Sequence, residues 1–176
     1  MQSRLEPTPE VYDKVTITLH WTTAILVAIL WLMGRLTNFL PRGPVRVDIW
    51  SVHVLIGFML SGVLLTRIVW RAAYGLRLNP AGQGIQHLLA MMTHQFLYLL
   101  LLVVVTLGLL NVFAHAFPLF NIWHFPKLGD EDFLHRINNW HGDVANIIAA
   151  LALFHAAAAL FHRYVIKDTV LDRMLP

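Results

Sequence analysis

Residues 141–155 read HGDVANIIAALALFH, an apolar stretch with a histidine at each end. Fourteen residues at about 100° each come within about 40° of four full helical turns, so both imidazoles share one face. At about 1.5 Å per residue they stand about 21 Å apart along the axis. The hydrocarbon core of a bilayer is roughly 30 Å thick. One helix here therefore presents a ligand-type side chain near each side of a membrane.

Composition points to the same solvent. The chain of 176 residues is 57% hydrophobic and only 13% charged, with a mean hydropathy of +0.61, whereas a soluble domain is about 25% charged. Four apolar runs can be read off, roughly Val15–Leu40, Ile49–Trp70, Ile85–Ala114 and Ile137–Ile166. Each reaches the ~20 residues needed to span as a helix. Little is left for a second soluble domain, so the expected fold is all-α: one integral membrane four-helix bundle over residues 1–176. Trp21, Trp50, Trp70, Trp123 and Trp140 fall where membrane interfaces should be, as an aromatic belt requires.

There is no cysteine, which excludes disulfides, thiolate-held iron–sulfur clusters and covalent c-type haem. The start, MQSRLEPTPEVYDK, is polar and mixed in charge, unlike a secretory signal, so the first apolar run is expected to stay as a helix. With the N-terminus inside, eight bases lie on the cytoplasmic side (Arg4, Lys14, Arg67, Arg71, Arg77, Arg163, Lys167, Arg173) and five outside (Arg35, Arg42, Arg46, Lys127, Arg136). That bias predicts an N-in, C-in topology. The first outer loop is PRGPVRVD, Pro41–Asp48; the inner loop runs over about Arg71–Gly84 and contains Asn79-Pro80 and Gly82-x-Gly84. The second outer loop, about His115–Arg136, is the longest and holds the acidic triplet Asp130-Glu131-Asp132. Its aromatic residues predict a short interfacial helix over the outer end.

Ionisable residues inside spans usually mark function, because an unpaired polar group in hydrocarbon costs several kcal/mol. His53, His141 and His155 lie inside apolar runs, and His20 lies near the start of the first. Alternating helix direction puts His20 and His155 at inner depth and His53 and His141 at outer depth. Four imidazoles paired at two depths fit two stacked bis-histidine haems, bound without covalent attachment. Six-coordinate iron of this kind suits outer-sphere electron transfer better than oxygen binding. Gly57 and Gly62 on the second run, and the alanines around His155, leave room for a flat macrocycle; close helix packing would use the same residues.

Ligand imidazoles need orienting partners, for which Asn138, Asn139, Asp143 and Asn146 are candidates at His141. Haem propionates need basic or donor partners: Arg71, Lys14 and Arg163 inside, Arg46, Trp50 and Trp140 outside. His87 and His94, seven apart on the third run, have three readings. They are alternative haem ligands, proton-carrying groups of a quinone site together with Arg71, or structural residues. His115, His124 and His135 read as solvated loop residues, and His162 as a partner of a helix C-terminus or lipid phosphate. No Walker loop, nucleophile triad or zinc motif is present.

The LHW at the start of the first run, VHVLIGF on the second and the His-x13-His of the fourth together resemble the bacterial di-haem cytochrome b561 family over nearly the whole chain. The resemblance implies two haems b, one on His20 and His155 and one on His53 and His141, whose iron these residues ligate axially. It further implies a superoxide oxidase (superoxide:ubiquinone oxidoreductase) of the bacterial inner membrane. Such an enzyme oxidises periplasmic superoxide to dioxygen and passes electrons to ubiquinone, with no protein partner required. Arg42, Arg46, Lys127 and Arg136 are candidates for steering the superoxide anion, and the acidic triplet opposes them. The alternative is a haem b anchor that relays electrons between a periplasmic dehydrogenase and quinone.

Overall fold

The computed structural model of the chain describes residues 11–76, 78–79 and 84–175, with the backbone alone at Glu131. Residues 1–10, and with them Arg4, lie outside the described residues, as do Arg77, Pro80 and Gly82 of the inner loop. Four helices carry the fold: α1 (Lys14–Leu36), α2 (Pro44–Ala73), α3 (Ile85–Ala114) and α4 (Glu131–Phe161). All four are long and apolar enough to cross a membrane.

Aspartates cap the starts of α1 and α4, and two starts differ from the apolar runs. Asp13 caps α1, accepting from the Thr16 amide at 2.9 Å and its hydroxyl at 2.7 Å. Helix α2 begins at Pro44 rather than at Ile49, because proline fits the first helical position after Gly43. Helix α4 begins at Glu131 rather than Ile137, with the Asp130 carboxylate accepting from the Phe133 amide at 2.8 Å. The acidic triplet is thus a cap and first turn, where negative charge complements the helix dipole, and not part of a loop. The interfacial helix expected over the outer end is replaced by a small hairpin, β1 (Pro118–Leu119) antiparallel to β2 (Trp123–His124). Its turn holds Phe120 and Asn121 at φ of 50° and 56°. The Phe120 amide donates to the buried Ser51 hydroxyl at 2.8 Å, which docks the hairpin on the start of α2.

At the opposite end the two ends of the described chain meet. The Tyr12 amide donates to the Arg173 carbonyl at 3.1 Å, and the Trp21 indole to the Met174 carbonyl at 2.7 Å. Asp13 also accepts from the Trp70 indole at 3.0 Å. A π-helical turn, His162–Ile166, ends α4, and Lys167 at φ 61° turns the tail back beneath the bundle.

Packing is closest within the pairs α1–α2 and α3–α4 and looser between α2 and α3 and between α1 and α4. Leu64, Leu101, Val104 and Ile148 form the buried apolar cluster. Leu153 and Phe154, by contrast, are exposed, as lipid-facing side chains should be. Lipid gives helices no hydrophobic reason to associate, so polar bridges count. The Trp31 indole donates to Asn146 at 3.1 Å and Asn111 donates to Asn138 at 3.3 Å. Each such bond contributes about 0.6–2 kcal/mol.

Candidate functional site

Two imidazole pairs face one another across the loose side of the bundle. His53 on α2 and His141 on α4 have ring centroids 6.3 Å apart, with planes at 75°. His20 on α1 and His155 on α4 are likewise 6.3 Å apart, at 68°. A metal–imidazole bond is about 2.0 Å, so two facing rings with centroids roughly 6 Å apart could hold one metal ion between them. Both pairs meet that separation. Among the described residues no cluster of three or more His, Cys, Asp or Glu groups could hold a metal ion. Two imidazoles alone would leave a metal ion under-coordinated, and a planar tetrapyrrole held between them would supply the missing donors.

The surroundings of His53 and His141 fit such a group. The His141 Nδ1–H donates to the Val104 carbonyl at 3.1 Å, which leaves the Nε2 lone pair free for a metal. This backbone bond takes the orienting role expected of nearby polar side chains. Asn138 and Asn146 are instead engaged between helices, and Asn139 and Asp143 are exposed. His53 Nδ1 is buried without a hydrogen-bond partner among the described residues. A cavity of about 760 Å³ opens beside both rings, within the ~300–1,000 Å³ typical of cofactor sites.

Glycines make that space. A Cβ on Gly108 would stand 3.1 Å from His141 Cε1, and one on Gly34 4.0 Å from His53 Cε1. Gly57 and Gly142 line the cavity with nothing within 4 Å of where a Cβ would be. Gly62 is also open but does not line it. Leu60, Leu101, Val104 and Ile148 close the floor. Ile148 is seven residues from each α4 histidine, so packed apolar side chains separate the two imidazole levels.

Arg35, Arg42, Arg46 and Trp50 line the hairpin end of the cavity, and Arg46 also donates to the Leu40 carbonyl at 3.2 Å. Lys127, Arg136 and Trp140 are not among its lining residues. His115 does line it and bonds the Asn111 carbonyl at 3.1 Å, whereas His124 and His135 are exposed.

The other level is built differently. An Arg67 guanidinium nitrogen lies 2.9 Å from His20 Nδ1 and its Cζ lies 5.0 Å over the Tyr98 ring. His94 comes within 5.3 Å of His155 by ring centroid, against 6.3 Å for His20. His87 is exposed. Arg71 donates to the Leu76 carbonyl at 2.8 Å and covers Tyr12, and Arg163 pairs with Asp172. His162 pairs with Asp168 at 2.6 Å instead of the expected helix terminus or lipid. Burial raises the Asp168 carboxyl, but hydrogen bonds from His162 and the Val170 amide outweigh it and hold it below the usual carboxylate range.

Residues missed in the sequence divide into two kinds. Arg67 was legible as an ionisable group inside an apolar run, the signal that singles out the histidines. Gly34, Gly108 and Tyr98 carry no comparable signal, because what they face is decided by tertiary packing.

Known proteins match almost end to end. A cytochrome b561 homolog of Escherichia coli K12 is 30% identical over 94% of this chain and 97% of its own length. A protein of Yersinia pestis named as a probable superoxide oxidase is 28% identical, over 94% of this chain and 96% of its own. A cytochrome b562 of Cereibacter sphaeroides is 31% identical over 93% and 94%. The family described as prokaryotic cytochrome b561 matches residues 11–176. With four membrane-crossing helices and that match, the chain is a multi-pass membrane protein of haem b electron transfer, and it belongs to the prokaryotic cytochrome b561 family.

Proposed function

We propose that the chain is a superoxide:ubiquinone oxidoreductase of the bacterial inner membrane, holding one haem b on His53 and His141 and a second on His20 and His155. The observation that carries the di-haem reading is the pair of 6.3 Å imidazole separations at two levels of one bundle. Haem b, when bound, supplies one-electron iron chemistry with both axial positions filled. The overall reaction balances as two superoxide anions, one ubiquinone and two protons giving two dioxygen molecules and one ubiquinol.

The protein's own contribution is placement and charge. Val104 fixes the tautomer of His141, the glycines admit a flat ring, and the apolar floor excludes water between the levels. Arg35, Arg42 and Arg46 at the hairpin end attract a small anion, which supports superoxide as donor beside the name of the Yersinia relative. His94 and Arg71, with His87, remain the candidates for binding quinone and supplying its protons at the other end. The topology in this reading is N-in and C-in.

A second reading is favoured by Ile122 and Trp123, 85% and 65% exposed at the hairpin. They form an apolar tip on which a periplasmic dehydrogenase could dock, making the chain a relay to quinone. The test is reduction of the purified protein by superoxide, followed by absorption, on wild type and on His20→Ala, His53→Ala, His141→Ala and His155→Ala. Two haems b per chain, each substitution removing one low-spin centre, and reduction without a partner are expected. Two haems with no reduction by superoxide would move the conclusion to the relay, and absence of a Soret band would end both readings.

A further inference from the structure

Arg67 lies six residues inside the end of α2, about 9 Å from it along the axis. A guanidinium at that depth is costly and as a rule faces the bundle interior with a partner. Among the described residues no carboxylate pairs with it. Asp168 and Asp172 are engaged by His162 and Arg163, and Asp13 by Thr16, Trp70 and Leu76. What it touches is His20 Nδ1 at 2.9 Å, with the Tyr98 ring beneath its plane at 5.0 Å.

That contact with His20 is at odds with metal ligation. Binding iron through Nε2 leaves the proton of a neutral imidazole on Nδ1, and arginine has only donors. Two donors would then face each other at hydrogen-bond distance, so the guanidinium must turn to other acceptors; the Tyr98 hydroxyl beside it is one, and its remaining N–H groups need more. A haem carries two carboxylates, and the planar guanidinium fork matches a carboxylate in a bidentate fashion. Tyr98 keeps the guanidinium at this level by stacking against its face.

We infer that Arg67 is a positioning residue whose guanidinium holds a carboxylate of the haem between His20 and His155. Its charge raises that centre's midpoint potential relative to the other. The inference rests on the di-haem reading. A fixed positive charge near a redox centre stabilises the form carrying one more electron, and the low dielectric of the interior strengthens the effect.

The test is a spectroscopic redox titration of the purified holoprotein, wild type against Arg67→Gln and Arg67→Lys, with His20→Ala identifying the wave. Arg67→Gln should shift the His20–His155 wave to lower potential and leave the His53–His141 wave in place; Arg67→Lys, which keeps the charge but not the fork, should shift it less. Two haems with both waves at wild-type potentials in Arg67→Gln would overturn the inference while leaving the di-haem reading standing. Should Arg67→Gln lose one haem, Arg67→Lys decides: both haems retained supports the inference, and equal shifts of both waves overturn it. A wild type without two low-spin centres would instead be a failure of the di-haem reading, and this inference would fall with it.

Discussion

Gly108 sets how close α3 can come to a histidine. A Cβ there would lie 3.1 Å from His141 Cε1 and 3.5 Å from Nδ1, and the ring has little freedom because its Nδ1 is tied to Val104 on the same helix α3. Gly108→Val should therefore push the imidazole off its carbonyl partner. Overpacking of this kind costs about 1–3 kcal/mol, but the specific outcome is local. On the di-haem reading, the His53–His141 low-spin signal is expected to disappear and the haem-to-protein ratio to fall from two towards one, as read by pyridine haemochrome and electron paramagnetic resonance. Gly62→Ala, with nothing within 4 Å, should keep both signals, and equal behaviour of the two variants would remove Gly108 from the site. The histidines at this scale were legible because helical rise and alternating direction fix their depth. The glycine was not, because its neighbour belongs to another helix.

Helices α1 and α4 begin on carboxylates, and the one before α1 does more than cap. Burial alone would raise the Asp13 carboxyl, but hydrogen bonds from Thr16, Leu76 and Trp70 outweigh it and bring it from 3.8 to about 2. A carboxyl held lower in the folded state contributes stability above the unfolded value and loses it as pH falls through the folded one. The ties among α1, α2 and the loop after α2 should thus weaken between about pH 4 and pH 2. Asparagine caps as well as aspartate, so Asp13→Asn keeps the cap but weakens the charge-assisted bonds. It should be about 1–2 kcal/mol less stable at neutral pH. That gap should close as pH falls towards 2 in melts followed by tryptophan fluorescence, and a pH-independent gap would contradict the assignment. The same kind of signal, an aspartate just before a helix, was present at Asp130. Apolar-run reading passed over it because residues 131–136 are mostly polar, and so started α4 late and left the acidic triplet in a loop.

For the whole molecule, pairing of the histidines is a consequence of two tight helical hairpins that leave a gap between them, and every group in that gap has a side of the membrane. The count of bases alone, eight against five, favours an inside N-terminus only modestly. Cavity geometry changes the weight of those charges. Arg35, Arg42 and Arg46 line the space beside His53 and His141; in the proposed function these three of the five outer bases serve the site and oppose the N-in topology less than free loop cations would. The absence of cysteine makes the orientation directly testable, since any introduced thiol is the only one. Ile122→Cys on the exposed hairpin turn should react with a membrane-impermeant maleimide in intact spheroplasts. Thr169→Cys, exposed in the tail, should react only after permeabilisation. The reverse pattern would put the arginine-lined cavity in the cytoplasm, and oxidation of periplasmic superoxide at His53 and His141 would have to be abandoned even with both haems in place.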